Sequence, residues 1–271
     1  MIKLIINADD YGMNSNCTRA ITACLEKGWI TNTSLMVNMP STEEAVALAR
    51  GRGLLDHIGL HLNFTEGYPL SERIRDNREF CDESGRFNWG FRASYKVCVR
   101  PLSAQSKRDL AEETRAQVER YLALGLPIRH FDSHHHSHLV FRVIPTIFSV
   151  LKEYGFKSVR RPPNLATHQK LKSKIYYPLN ERLKQWRMSP YGFCRTDFMG
   201  PLADLRKRFP KLPQDCTIDL MVHPMYLKDG QLDDSGVMSD SGLRPMAETV
   251  GFVQSLGGQV VKQTYKAVQS E

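Results

Sequence analysis

The 271-residue chain predicts an α/β fold, a (β/α) barrel that is closed or nearly closed, on three observations. Short runs of continuous apolar residues alternate with longer stretches of helical periodicity, the pattern of a parallel sheet covered by helices. No internal repeat or low-complexity stretch interrupts the alternation, so a single domain is expected over 1–271. Nearly every strand ends in a polar or ionisable group: Asp9 and Asp10, Asn38, His61, Asp132 and His134, Arg160 and Arg161, His223. In a barrel such ends converge on one mouth. In an open doubly wound sheet they line an edge and meet only at the switch point.

The elements follow in order. Residues 2–8 (IKLIINA) read as a buried strand. Ala20, Ile21, Cys24 and Leu25 have helical spacing within 14–28, which Gly28 ends. Thr33–Asn38 reads as a second strand, and Ser41-x-x-Glu44 as a capping box for a second helix. Ile58–Asn63 (IGLHLN) is a third strand. Residues 65–103, rich in Gly, Pro, Asn and charge, form a long insertion after it and a candidate lid, with Phe87, Trp89 and Phe91 available to stack on a ligand or to pack a small core. Ser103–Leu124 is an amphipathic helix, Ile128–Asp132 a strand, Val143–Gly155 a helix with Pro145 in its first turn, and Lys157–Arg161 a strand. Residues 164–216 carry no clear pattern. Ile218–His223 (IDLMVH) is a strand, Arg244–Leu256 a helix and Gln259–Tyr265 a last strand.

Composition bounds the function. With 41% hydrophobic and 24% charged residues, the chain is an ordinary globular protein, which excludes collagenous, coiled-coil and wholly disordered classes. No apolar run approaches the ~20 residues of a membrane span, and the N-terminus (MIKLIINADDYG) turns acidic too soon for a secretory signal. The six cysteines are scattered without a CxxC pair, so a reduced, cytoplasmic protein is expected. The net charge of +8 suits either mutual repulsion in solution or an anionic partner such as a phosphorylated ligand. Basic residues spread through 170–188 and 206–211 have no RNA-binding signature or zinc finger beside them, so nucleic acid is not expected.

The densest chemical feature is His130-Phe131-Asp132-Ser133-His134-His135-His136-Ser137-His138, where five of the nine histidines fall. Neutral imidazole is the commonest biological metal ligand. One or two of these histidines would bind an ion, and the others would support them or face substrate. Asp9 and Asp10 end the first strand, and two adjacent carboxylates there are costly to bury without compensation. Adjacent residues of an extended chain point to opposite sides, so one can bind a cation while the other takes a proton from water. His61 and His223 sit at strand ends, where a lone histidine ordinarily makes a core hydrogen bond. Together, Asp10, His61 and a histidine of the tract make a two-His, one-carboxylate site with positions open to water. Arg160 at the mouth would orient a carboxylate or phosphate through its bidentate fork.

Asn7-Ala8-Asp9-Asp10-Tyr11-Gly12, Gly59-Leu60-His61-Leu62-Asn63, His130-x-Asp132-Ser133-His134-x-His136-x-His138, Val159-Arg160-x-Pro162 and His223-Pro224 together resemble the YdjC-like carbohydrate deacetylases. The resemblance runs from residue 5 to about residue 225, with Tyr11 where the family commonly has Phe and Met225 where it has Gly. It implies a distorted (β/α) barrel, TIM-like, for which seven strands suffice. It also implies removal of acetyl groups from N-acetylated sugars with a divalent metal, magnesium first and zinc or manganese as alternatives. By motif, Asp10, His61 and His134 would be metal ligands, Asp9 the catalytic base and His223 the catalytic acid. Tyr11, Asp132, His136, His138 and Arg160 would bind substrate or support the ligands, with backbone N–H groups near Tyr11 and Gly12 facing the oxyanion.

Two rival readings remain at this level. A non-haem iron oxygenase shares the two-His, one-carboxylate set, but its class uses an all-β fold. A non-catalytic metal- or sugar-binding protein needs no free base such as Asp9. The expected partner is a small N-acetylated sugar, neutral, phosphorylated or polyprenyl-phosphate-linked, with no nucleic acid and no transmembrane segment. A homo-oligomer is left open.

Overall fold

The N-terminal apolar run forms β1 (Ile2–Tyr11), buried along nearly its whole length. The computed structural model describes residues 1–88, 90, 100–166, 171–239 and 242–269. Around β1 lie β2 (Asn32–Leu35), β3 (Ile58–Leu62), β4 (His130–Ser133), β5 (Ser158–Val159), β6 (Phe198–Pro201) and β7 (Thr217–Val222), in the order β5-β4-β3-β2-β1-β7-β6. All of these neighbours pair in parallel. The crossovers carry α1 (Ser15–Glu26), α2 (Thr42–Gly51), α3 (Ala104–Ala123), α4 (Ile144–Glu153), α5 (Leu171–Met188) and α6 (Leu202–Arg208). None of the helices described is long and apolar enough to cross a membrane.

The seven strands form the parallel, helix-covered α/β sheet expected, but they curl into a half-barrel and do not reach the closed or nearly closed TIM-like barrel. β5 and β6 are edges with no ladder between them. Pro162 and Pro163 follow β5 closely and Pro201 ends β6. Proline has no N–H to donate, so neither strand extends far enough to close the ring. Among the described residues the gap is spanned by a bridge from Ser158 to Cys194 and by the N–H groups of Asn164 and Leu165, which donate to Met199 O.

Side-chain alternation along β1 sets the two faces of the sheet. Leu4, Ile6 and Ala8 join the large core beneath the helices. Ile5 points the other way, into a small cluster with Ile128, Tyr265 and Val268. Asn7 and Asp9 share the face of Ile5, so the inner surface turns from apolar at the base to polar at the mouth.

Several elements differ from expectation. Ser41 precedes α2 but makes no side-chain cap hydrogen bond. Glu44 accepts instead from Ser15 Oγ and Arg19 Nε of α1, a tertiary contact that displaces the local capping box. Residues 164–216 contain α5, β6 and α6. After β7 the chain forms an antiparallel sheet, β8 (Pro224–Tyr226), β9 (Leu232–Ser239) and β10 (Gly242–Pro245). Then come α7 (Met246–Ser255), β11 (Val260–Lys262) and α8 (Tyr265–Val268). β11 pairs with Ile2–Leu4 of β1, below the stretch from Asn7 onward that β2 occupies.

The insertion after β3 is tied down by α3. Asn63 Oδ1 accepts from the N–H groups of Thr65 and Glu66. Buried Glu113 accepts from the N–H groups of Leu70 and Ser71 and from Gln117 Nε2. Phe87 is buried and meets Phe64 edge to face, which makes it a core residue. Trp89 and Phe91 lie outside the described residues. Glu113→Ala would leave two backbone N–H groups without an acceptor. It is expected to cost about 2–3 kcal/mol in urea unfolding; a loss under about 0.5 kcal/mol would show that the insertion is held by other contacts.

Candidate active site

A backbone kink brings the two adjacent carboxylates to the same place. Asp9 faces inward by strand alternation, and Asp10 should face the helices. Asp10 instead has φ +68, and the β1–β2 register shifts between Ala8 and Tyr11. A left-handed conformation is costly for a residue with a side chain and persists only where its surroundings impose it. Here it turns the Asp10 carboxylate to the mouth beside Asp9.

Each carboxylate meets a different set of partners. Asp10 Oδ1 lies 2.7 Å from His134 Nδ1 and 3.3 Å from His61 Nε2. Burial works against Asp10 ionising, but the hydrogen bond from His134 and the proximity of His61 prevail, and its carboxyl sits well below the usual range. Asp9 Oδ2 lies 2.5 Å from Arg160 Nη1, and Asp9 Oδ1 accepts from Asn7 Nδ2 at 2.8 Å. Burial opposes ionisation there too. Arg160, then His61 and His223, outweigh it and keep Asp9 charged.

Asp132 ties the two halves together. It accepts from His61 Nδ1 at 2.6 Å and lies 2.9 Å from Arg160 Nη1. Ser34 Oγ donates at 3.0 Å to Oδ2, the oxygen that faces Arg160. With Nδ1 committed to Asp132, His61 directs its Nε2 towards Asp10. That buried nitrogen has no hydrogen-bond partner among the described residues.

Asp10, His61 and His134 bring one ligand atom each within 4.8 Å of one another. Burial lowers the His61 pKa, yet Asp132 and Asp10 push it up to about 10. A field that favours a proton so strongly favours any cation, so these residues fit a divalent metal. Two other groupings share a member: Glu66–His134–His135 at the rim, and Asp9–His61–Asp132 below. In the lower one Arg160 already spans both carboxylates, and its charge repels a second cation.

The remaining predicted residues divide clearly. His223 Nε2 stands 3.9 Å from Asp9 Oδ2, and its backbone N–H donates to Asp234 Oδ1 of β9 at 2.7 Å. The small antiparallel sheet thus sets the strand end that carries His223. His136 Nδ1 is buried without a partner among the described residues, and burial with Arg160 nearby pushes its pKa down to about 3. His138 bonds Ser133 Oγ and the backbone carbonyl of Arg160, so it supports the wall. Tyr11 is fully buried and donates to Ala45 O between α1 and α2. The Gly12 N–H donates to Thr18 Oγ1 and is not free for an oxyanion.

Arg160 is buried and meets Asp9, Asp132 and Asp219, so two of its nitrogens orient the protein's own carboxylates, while its Nη2 has no hydrogen-bond partner among the described residues. Asn7, Ser34, Asp219 and Asp234 were missed as supporting residues. Asp219, between Ile218 and Leu220 in an apolar strand, was the signal available.

The motif order and this geometry match a known family. A family model described as YdjC-like protein matches residues 3–248. The chain belongs to that family. A carbohydrate deacetylase of Oceanobacillus iheyensis is 35% identical over 235 residues, covering 81% of this chain and 98% of that one. One from Clostridium beijerinckii is 33% identical over 240 residues, 89% and 86% of the two chains. One from Brevibacillus brevis is 31% identical over 238 residues, 86% of each. A solved structure from Enterococcus faecalis V583, provisionally described as a cellobiose-phosphate cleavage protein, superposes with a TM-score of 0.67 at 19% identity over 98% of both chains. That likeness concerns the fold.

His130 yields a pH prediction. Burial first, and Arg160 next, hold its imidazole well below the ordinary histidine range. The folded state therefore keeps it neutral, and its stability is complete above the unfolded pKa of about 6.5 and falls as pH drops below that. As pH falls from 6.5 to 5 the wild type should lose stability through this group. His130→Phe, followed by urea unfolding across the same range, should flatten that slope. An unchanged slope would contradict the assignment.

Proposed function

We propose that this protein is a metal-dependent carbohydrate N-deacetylase, which hydrolyses the acetamido group of an N-acetylated sugar to acetate and an amine. The observation that carries the reading is the division of labour between Asp9 and Asp10, neighbours in sequence with different partners. The relatives named carbohydrate deacetylases support the class of substrate.

A divalent cation held by Asp10, His61 and His134 would supply a Lewis acid that polarises the acetyl carbonyl and acidifies a water. Asp132 keeps the His61 ring fixed in one orientation. Asp9, ionised and pinned by Asn7 and Arg160, accepts the proton as water adds to the carbonyl carbon. The C–N bond then breaks, and the departing nitrogen must gain a proton. His223, partly exposed and 3.9 Å from Asp9, supplies it. The sugar is an oligosaccharide, a sugar phosphate or a lipid-linked amino sugar; the +8 charge favours one that carries phosphate.

The test is acetate release from N-acetylglucosamine, chitobiose, its phosphate and a polyprenyl-phosphate-linked N-acetylhexosamine, metal-depleted and with Mg²⁺, Mn²⁺ or Zn²⁺. Release that needs metal and is lost in His134→Ala is the expected result. No release from any sugar, in protein shown to bind metal, would sink the reading. His223→Ala should slow N-deacetylation by about 10²-fold and leave hydrolysis of 4-nitrophenyl acetate, whose leaving group needs no proton, nearly unchanged. Equal losses on both substrates would remove His223 from the donor role.

A further inference from the structure

The C-terminal segment lies beyond residue 248, where the family match ends, and none of the recognised motifs includes it. It nevertheless enters the inner face of the half-barrel. β11 pairs with the foot of β1, and α8 brings Tyr265 to the base of the site. The Tyr265 ring stacks on His130 at 3.3 Å and 11°. The Gly59 position makes room for that ring, since a Cβ there would lie 3.2 Å from His130 O and 3.4 Å from its Cδ2.

The Tyr265 hydroxyl donates to Asp219 Oδ2 at 2.6 Å. The same oxygen accepts from Arg160 Nε at 2.9 Å. Arg160 Nη1 reaches Asp9 Oδ2 at 2.5 Å and Asp132 Oδ2 at 2.9 Å. All five side chains are buried. A guanidinium is planar, so fixing Nε in the base determines where Nη1 stands between the two upper carboxylates. Asp219 Oδ1 has no partner among the described residues. Tyr265 and Arg160 therefore supply the hydrogen bonds that orient the Asp219 carboxylate; burial raises its pKa, and these two partners work against that rise.

We propose that Tyr265 is a positioning residue for the reaction: through Asp219 and Arg160 it sets the orientation of Asp9. Its effect on turnover rests on the deacetylase reading; the chain of bonds does not. Tyr265→Phe keeps the stack on His130 and removes only the hydroxyl. It is expected to lower kcat about tenfold, with KM and bound metal unchanged. Gln269→Ala loosens the same segment at its bond to Ser158 Oγ, outside the chain to Asp9, and should keep kcat.

A readout independent of turnover is the Arg160 Nε–H resonance. In wild type it should be protected from exchange and show a cross-peak to the Tyr265 hydroxyl proton; in Tyr265→Phe it should exchange at least tenfold faster. Wild type alone serves if the variant does not fold, because an absent cross-peak and an unprotected Nε–H overturn the chain directly. A variant with unchanged kcat and unchanged Nε–H exchange also overturns the proposal. If the Nε–H responds as expected in a protein that releases no acetate from any sugar, the bond chain stands and the deacetylase reading fails.

Discussion

The site depends on one buried cation. Arg160, just past β5, meets Asp9 of β1, Asp132 of β4 and Asp219 of β7. Removing these charges from water costs several kcal/mol each, and the cost is met only where partners are close and complete. The arrangement thus requires all four strands to hold their relative positions. It also leaves a surplus of negative charge, with Asp10 alongside, which keeps His61 basic and makes the mouth a place for a cation. The sheet stops short of closing between β5 and β6, and Arg160 links one of those edges to the centre from inside.

The same constraint separates the two adjacent carboxylates. Asp9 is neutralised from below by the guanidinium and has one further donor, Asn7. Asp10 is turned out of its strand direction by a left-handed backbone and meets imidazoles. A regular strand would have sent one carboxylate into the helix layer. The kink at Asp10, and the consecutive left-handed residues His135 and His136 after His134, are local distortions that the packed surroundings hold in place. They occur on both sides of the candidate metal position.

Much of this was legible in the sequence. The alternation of apolar runs and amphipathic stretches located six of the seven parallel strands on the main path, and their polar ends marked the mouth. Asp9, Asp10, His61 and His134 stood out because charged or ligand-type residues at strand ends need compensation. Their convergence could not be read, because Asp10 depends on a φ angle that no residue type announces. Arg160 was expected to bind substrate or to support the ligands, and its partners could not be named: they lie 151, 28 and 59 positions away in sequence, and only the curled sheet brings them together. β6 escaped notice because four residues ending in proline carry little periodicity. The capping box at Ser41 failed because α1 offered Glu44 a better partner.

In the proposed function Asp10 would hold the cation while Asp9 moves the proton. The most direct measurement is metal content and acetate release for Asp9→Asn and Asp10→Asn side by side, on whichever sugar the wild type accepts. Asp9→Asn is expected to keep its metal and lose about 10³-fold in kcat, whereas Asp10→Asn is expected to lose the metal itself. An Asp9→Asn protein that turns over normally, or an Asp10→Asn protein that retains both metal and activity, would contradict the proposal.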